Sequence, residues 1–364
     1  MKKILHIINS LDVGGAEYSL IRIINNNKNY NHKIIILRPG TKLLDKYFKN
    51  KKNILHKYHF TYLNFIFSFF SLINIISEYK PNTINCWMYH SAVIGGLASK
   101  MCGFKKIIWL VRHNDPRGKF LSFNSRLSIY LFKLLSFIVP KTIVYNSDTS
   151  LKSHKKYGVN QDIKNLVINN GYDVTPIKFE KEYDINFFTI ANITRWNKQK
   201  NHKLLLRSLE LFSKNYPNIK WKLLLGGRFL NKNNREILEL IYKYNLSDNI
   251  ELIDYIEDVS LLFKKIDIYV QTSLDESFPN IVAESMLNYT PVVATNVGDT
   301  NLIVGKHGWL TNLDKIEISQ NIYKAYILKK NKYNWENLQK YSNKHIINNF
   351  SILETSKKIS TLWG

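Results

Sequence analysis

The chain has 364 residues, 45% of them hydrophobic, and its 52 Lys and Arg against 28 Asp and Glu give a formal net charge of +24. Two domains of ~150 residues or more account for such a length, and the apolar share excludes a disordered chain. The cationic excess draws phosphate-bearing partners such as nucleic acid, anionic lipid headgroups or diphosphate substrates; because it is scattered along the chain, it suits a basic face on a globular protein better than a nucleic-acid-binding arm, although compositional drift toward Lys and Asn is an alternative source.

The N-terminus, MKKILHIINSLDVGG, resembles a signal peptide at first sight. Its apolar run is too short, and Asn9, Asp12 and Gly14 interrupt it. It reads as a strand over 3–9, a turn at Gly14-Gly15 and a helix carrying Leu20, Ile21, Ile23 and Ile24, the opening unit of a doubly wound sheet. A strand follows at 33–37. Residues 60–77 hold no formal charge, with Asn64, Ser68, Ser71 and Asn74 as a polar stripe. Three readings stay open for this segment: a helix packed on the first sheet, a helix in a membrane interface beside Lys46, Lys49, Lys51, Lys52 and Lys57, or a membrane span, which would cut an α/β domain in half. Strands are expected at 83–87, 106–111 and 142–145, as continuous apolar runs that suit strands covered on both faces. The stretch 126–139 is a second candidate for the same membrane surface, although a core-facing helix is the favoured reading. Cys86 and Cys102 sit in no CxxC or Cys/His cluster, which gives a metal site no support and points to a reducing compartment.

Near 172–183 the periodicity breaks, and the pattern then restarts. Strands are expected at 186–191, 220–225, 250–253, 268–271 and 291–294, with helices at about 200–215, 233–245, 258–265 and 279–288. Two βαβ series predict an α/β fold of two Rossmann-like domains facing a cleft. The first domain spans 1–175 and the second 176–344. The helical stretch 335–363 has no strand, and a terminal helix at about 345–364 returns to the first domain. No internal repeat is present, which excludes a solenoid.

Four constellations can carry chemistry. In Leu274-Asp275-Glu276-Ser277-Phe278-Pro279-Asn280-Ile281-Val282-Ala283-Glu284, two glutamates flank a helix start with Pro279 in its first turn. The free N–H groups of residues about 278–281 would form an anion site, and carboxylates are natural acceptors for sugar hydroxyls. A capping or solvated Glu pair is the plainer reading. Arg195 and Lys200, five apart on a turn after a strand, can converge on one phosphate; they also read as solvated charges. Gly14-Gly15 suits either a phosphate loop or a turn that needs glycine, and Glu17 can charge the helix start. His113 closes the 106–111 strand, where open α/β sheets place their sites, although a lone His is more often structural. His90 is a weaker counterpart.

The run Glu276–Glu284 with Pro291-Val292-Val293-Ala294-Thr295-Asn296-Val297-Gly298-Asp299 resembles the donor-site signature of family 4 (GT4) retaining glycosyltransferases. Trp87-Met88-Tyr89-His90, Arg112-His113, Val167-Ile168-Asn169-Asn170-Gly171-Tyr172-Asp173 and Asn349-Phe350-Ser351 extend the likeness over nearly the whole chain. It departs at Ser277, where the family often has Gly, and at Gly226-Gly227-Arg228, where it has a G-x-G turn. The resemblance implies the GT-B fold, an acceptor domain followed by a donor domain, and transfer of a hexose or N-acetylhexosamine with retention. It implies that Glu276 contacts the transferred sugar, Glu284 the ribose, Arg195 and Lys200 the diphosphate, Gly14 and Gly15 the diphosphate border, Tyr255 the base-cradling turn, and His113 the reacting sugar. The co-substrate is a nucleotide sugar, with UDP favoured over GDP, and no metal or other cofactor is expected, since no Asp-x-Asp motif is suitably placed. Charge and aromatic helices suggest a lipid-linked glycan acceptor, a cytoplasmic location on the inner membrane face, and surface-polysaccharide, lipopolysaccharide or glycoprotein glycan assembly. No nucleic acid partner is expected. Two other classes remain: a nucleotide-sugar epimerase on the same fold, and a non-catalytic basic binding protein.

Overall fold

The structure, a computed structural model, describes residues 1–12, 14–40, 53–61, 63–118, 121–173, 184, 187–254, 256 and 258–364. It divides into two units, Met1–Asp173 with Phe350–Gly364, and Val174–Asn349.

Among the described residues the first unit holds seven parallel strands: β1 (Lys3–Ile8), β2 (Asn31–Ile36), β3 (Ile54–Lys57), β4 (Thr83–Trp87), β5 (Ile107–Val111), β6 (Thr142–Tyr145) and β7 (Lys164–Val167). Their order is β3-β2-β1-β4-β5-β6-β7. The direction of winding reverses between β1 and β4. Alternate residues of each strand enter different cores. Leu5, Ile7, Cys86 and Trp109 pack with Leu72, Ile76 and Phe132. Ile4, Ile8, Trp87 and Leu110 pack with Leu20, Ile24, Ile352 and Trp363. Burial on both faces explains why these strands read as unbroken apolar runs.

Helices α1 (Gly15–Asn25), α2 (Phe65–Tyr79), α3 (Met88–Met101), α4 (Phe123–Leu135) and α5 (Asp148–Tyr157) connect the strands. Within α2, Leu72 and Ile76 are buried, so the segment is a helix packed on the sheet. Its polar stripe does not face solvent as a whole. Ser68 and Ser71 are half-buried, and Ser71 bonds the Tyr58 hydroxyl at 3.1 Å. The exposed face of α2 is instead apolar: Ile66 is 67% exposed, Phe67 81% and Phe70 58%. Helix α4 buries Ile129 and Phe132 but exposes Phe123, Leu127, Tyr130 and Leu134. Among the described residues no helix is long and apolar enough to cross a membrane. Lys46, Lys49, Lys51 and Lys52 lie outside the described residues.

Among the described residues the second unit holds six parallel strands: β8 (Phe187–Ile193), β9 (Lys220–Gly226), β10 (Ile250–Ile253), β11 (Ile268–Gln271), β12 (Val292–Thr295) and β13 (Trp309–Thr311). Their order is β10-β9-β8-β11-β12-β13, so winding reverses between β8 and β11. One face is filled by α6 (His202–Asn215), α7 (Arg235–Lys243) and α11 (Lys315–Lys330), through Leu205, Leu209, Phe212, Ile237, Ile318 and Ile322. The short helices α8 (Val259–Phe263), α9 (Asn280–Leu287) and α10 (Thr300–Val304), with the longer α12 (Lys332–Asn349), complete the unit. Lys329 is buried, and its ammonium donates to the carbonyls of Asp184 and Phe187, each at 2.6 Å, and to Asp267 Oδ2 at 2.7 Å.

The C-terminal stretch is not one helix. It breaks at Phe350-Ser351, and α13 (Ile352–Ser360) belongs to the first unit. Tyr172 N donates to Phe350 O and Ile352 N to Tyr172 O, both at 2.9 Å. Gly171 is required here, because a Cβ would lie 2.6 Å from the Ile352 backbone. Trp363 then stands edge-on to Tyr30, His32 and His6. The histidines form a one-way chain, since indole N–H only donates and a carbonyl only accepts. Trp87 Nε1 donates to His6 Nδ1 at 3.3 Å, His6 Nε2 to His32 Nδ1 at 3.0 Å, and His32 Nε2 to Asn27 O at 2.9 Å.

Candidate active site

In open α/β sheets, ligands settle beyond the strand C-termini where the winding reverses. In the second unit that point lies between β8 and β11. Arg195 and Lys200 follow β8, and Glu276 follows β11. The turn after β8 is fixed on both sides of Arg195, by Thr194 N→Gly226 O at 2.8 Å and Trp196 N→Arg228 O at 2.9 Å. This contact demands a glycine. Gly227 has φ +128, and a Cβ there would fall 2.0 Å from Thr194 O. The Gly226-Gly227 departure from a G-x-G turn therefore keeps the glycine where the two backbones meet.

Lys200 ends a 3-10 turn, Lys198–Lys200, and the next residue, Asn201, takes φ +52 before α6 begins. The ammonium of Lys200 meets Glu276 Oε1 at 2.5 Å, and Ser273 Oγ donates to the same oxygen at 2.7 Å. The two loops are stitched by backbone as well: Leu274 N donates to Gln199 O at 2.8 Å, and Gln199 Nε2 to Asp275 O at 2.6 Å. Arg195 is exposed on the turn, and Lys200 is engaged by the carboxylate.

Glu276 is buttressed from the far side. Gly298 (φ +58) presses on the loop so closely that a Cβ would lie 1.9 Å from Glu276 O, and Asp299 N donates to Ser277 O at 3.0 Å. Ser277, Phe278 and Pro279 are buried, so their part in any binding falls to backbone. Pro279 is not in the first turn of α9 but precedes it, at an extended ψ of 102. The physical reason stands unchanged: proline has no N–H to satisfy and sets the chain's entry angle. Asn280 then opens α9, whose first-turn N–H groups make a positive helix end. Glu284 lies one turn further along the same face as Asn280. Both glutamates act on Tyr269, whose phenol is pushed far up by burial first, then by Glu276 and Glu284. Tyr255 lies outside the described residues.

In the first unit the winding reverses between β1 and β4. Gly14 caps α1 after β1, and Gly15 is its exposed first residue. Glu17 folds back over Gly14: a Cβ on Gly14 would lie 2.4 Å from Glu17 Oε2. Past β4, Met88 takes φ +67, a strained conformation for a non-glycine residue. His113 follows β5. Its Nδ1 is 3.4 Å from Tyr89 OH, and its carbonyl accepts from Ser150 Oγ at 2.6 Å. His90 is half-buried; burial, then Arg38, lowers its pKa. Beside His113, Arg112 donates through Nη1 to Asn170 Oδ1 at 2.5 Å and stacks 5.5 Å from Trp87, with its pKa lowered to about 10 by burial.

Sequence reasoning missed Ser273, Tyr89, Ser150 and His154, which hold the expected site residues in place. Only the spacing of Ser150 and His154, four apart on one helix face, hinted at this. Among the described residues no group of three His, Cys, Asp or Glu could hold a metal ion.

Residues 174–355, half of the chain, match the family described as "Glycosyl transferases group 1". An uncharacterised glycosyltransferase of Methanocaldococcus jannaschii is 27% identical over 247 residues, covering 62% of this chain and 58% of that protein. Protein CapJ of Staphylococcus aureus is 25% identical over 235 residues, with 58% of each covered. The chain thus aligns with under two thirds of these relatives' length. Among solved structures, Anabaena HepE with UDP-glucose superposes with a TM-score of 0.81 at 19% identity, covering 99% of both chains. S. aureus TarM, with Fondaparinux, alpha-GlcNAc-glycerol and UDP, gives 0.76 at 14% identity and covers all of both chains. These likenesses show the fold: two parallel-sheet Rossmann-like domains of the GT-B class.

Proposed function

The chain belongs to the group 1 glycosyl transferases, and from this premise we propose that it moves a hexose or N-acetylhexosamine from a UDP-sugar to a glycan acceptor with retention of configuration. One observation carries the reading: where the winding of the second sheet reverses, Lys200 after β8 pairs with Glu276 after β11, and α9, which bears Glu284, begins four residues beyond Glu276. Positive groups suit a diphosphate, and carboxylates suit sugar and ribose hydroxyls. HepE, whose fold this chain shares, was solved with UDP-glucose, and TarM with UDP and alpha-GlcNAc-glycerol.

In this reading Glu284 accepts from the ribose hydroxyls and Glu276 from those of the transferred sugar. The bond from C1 to the diphosphate breaks as the acceptor oxygen bonds C1 on the same face. The acceptor's proton passes to the departing phosphate oxygen. Arg195, Lys200 and the start of α9 stabilise the charge left there. These basic groups supply the charge that a divalent metal supplies elsewhere, so chelators are expected to leave the rate unchanged. Gly14, Gly15 and His113 serve from the first unit, which takes the acceptor.

The acceptor we propose is a lipid-linked glycan at the inner face of the cytoplasmic membrane, in surface-polysaccharide assembly. The net charge of +24 and the exposed apolar faces of α2 and α4 support it. Sedimentation with anionic and zwitterionic vesicles tests this part, and equal indifference to both removes it. The transferase reading is tested by heat stabilisation with a panel of nucleotide sugars. UDP-sugars are expected to stabilise the native chain and to lose that effect in Glu284→Ala. A panel without any stabilising member overturns it. Release of product with no acceptor present would point to an epimerase instead.

A further inference from the structure

The histidine after β5 is held by groups that the proposed chemistry leaves unused. His154, on α5, is buried, and its Nδ1 lies 2.7 Å from the carbonyl of Ser150. A carbonyl can only accept, so Nδ1 carries the proton. Burial lowers the His154 pKa to about 4, ahead of the smaller influences of Ser150, His113 and Asp115, so the ring is neutral and Nε2 is a lone pair. Tyr89 OH is 2.7 Å from that nitrogen and must give it its only proton. The phenol oxygen then has acceptor capacity alone, and His113 Nδ1 stands 3.4 Å away. The direction of the second bond follows: His113 Nδ1–H donates to Tyr89. Phe132 and Tyr145 flank the His154 ring, at 6.2 and 5.1 Å between centroids, which keeps the relay dry. Ser150 closes the arrangement by donating its hydroxyl to the His113 carbonyl.

We propose that Tyr89 and His154 are positioning residues that fix the His113 imidazole in the tautomer protonated at Nδ1, so that His113 meets a substrate hydroxyl as an acceptor through Nε2. The second clause rests on His113 facing the sugar, as proposed above; the first does not. A histidine of the opposite tautomer would offer an N–H, which a phosphate or ring oxygen satisfies as well as a hydroxyl oxygen does, so the selection for a hydroxyl donor would be lost.

The test uses the full chain labelled with 15N-histidine, with two-bond proton–nitrogen spectra assigned through His113→Asn. Native His113 is expected to show a protonated Nδ1 and a bare Nε2. Tyr89→Phe fills the same space without the oxygen and is expected to release His113 into a mixture of tautomers. His154→Phe removes the acceptor, lets the Tyr89 proton turn to His113, and is expected to reverse the tautomer. A native His113 protonated at Nε2, or spectra unchanged in both variants, overturns the lock. In the transfer assay Tyr89→Phe is expected to lower kcat roughly tenfold at constant KM, the worth of one net hydrogen bond. A native kcat in a variant whose tautomer has changed overturns the link to substrate. Failure of any nucleotide sugar to bind the native chain would instead tell against the proposed function, since the spectra need no substrate.

Discussion

Glu276→Gln is expected to bind UDP more tightly than the native chain while losing sugar transfer. The Lys200 ammonium sits 2.5 Å from Glu276, with 19% and 13% of the two side chains exposed. Exposed pairs are worth ~0.2–1 kcal/mol, and breaking a fully buried one costs ~3–5 kcal/mol. This pair lies between, at about 2 kcal/mol, or roughly 30-fold in a binding constant. A diphosphate that recruits Lys200 must first displace the carboxylate and also feels its repulsion. Glutamine keeps the length and still accepts from Ser273, but it releases the lysine. The Kd for UDP should therefore fall about ten- to thirtyfold. The Kd for the whole UDP-sugar should stay near the native value or rise, because the sugar hydroxyls lose a charged acceptor worth ~1.5–3 kcal/mol, which offsets that gain. Titration calorimetry with UDP and with UDP-glucose reads both, and Lys200→Met, expected to weaken both, is the control. A Glu276→Gln protein that binds UDP no better than native refutes the competition between carboxylate and diphosphate.

Gly298→Ala should abolish transfer with the fold retained, because its Cβ would meet Glu276 O at 1.9 Å and force that loop away; native kcat in this variant would contradict the buttress. Lys329→Met should destabilise the second unit by about 3–5 kcal/mol, since the ammonium ties Asp184, Phe187 and Asp267; an unshifted urea midpoint would show the pair to be neutral. Stability should also fall in mild acid. His154 and His202 are buried with their pKa lowered to about 4, against 6.5 for a solvated ring. Between those pH values the unfolded chain binds protons that the native chain refuses, so stability is full above about 6.5 and declines toward 4. Each histidine contributes roughly 3 kcal/mol to that loss. A Tm constant from pH 7 to 5 would contradict it.

The central strands were legible because burial on both faces leaves long apolar runs. The expected ranges at 83–87, 142–145 and 268–271 coincide with β4, β6 and β11, and that at 250–253 with the edge strand β10. The strands that escaped notice, β3, β7 and β13, lie at sheet edges, where half-buried residues such as His56 and Asn165 and the exposed Lys164 dilute the pattern. The loop bearing Glu276 was legible through motif rather than periodicity. What no pattern announced was how the loop is held: Gly298 and Glu276 are far apart in sequence, and their contact depends on a backbone angle. The same holds for Tyr89 and His154, whose partnership exists only once α3 and α5 pack. The polar stripe of α2 misled for a related reason. Serines can turn inward when a phenol such as that of Tyr58 waits to bond them.

The first unit is built from both ends of this sequence, and that has a consequence for synthesis on the ribosome. Ile352, Ile359 and Trp363 complete the core under β1 and β2, yet they emerge only after all of Val174–Asn349 has been made. The second unit is continuous and can close as soon as it leaves the exit tunnel. The first must wait with one flank of its sheet uncovered, a state open to misassociation. Expressing the first unit alone would therefore call for a rewired chain, with the 350–364 segment joined behind residue 173 by a short linker, whereas the second unit could be cut out as it stands.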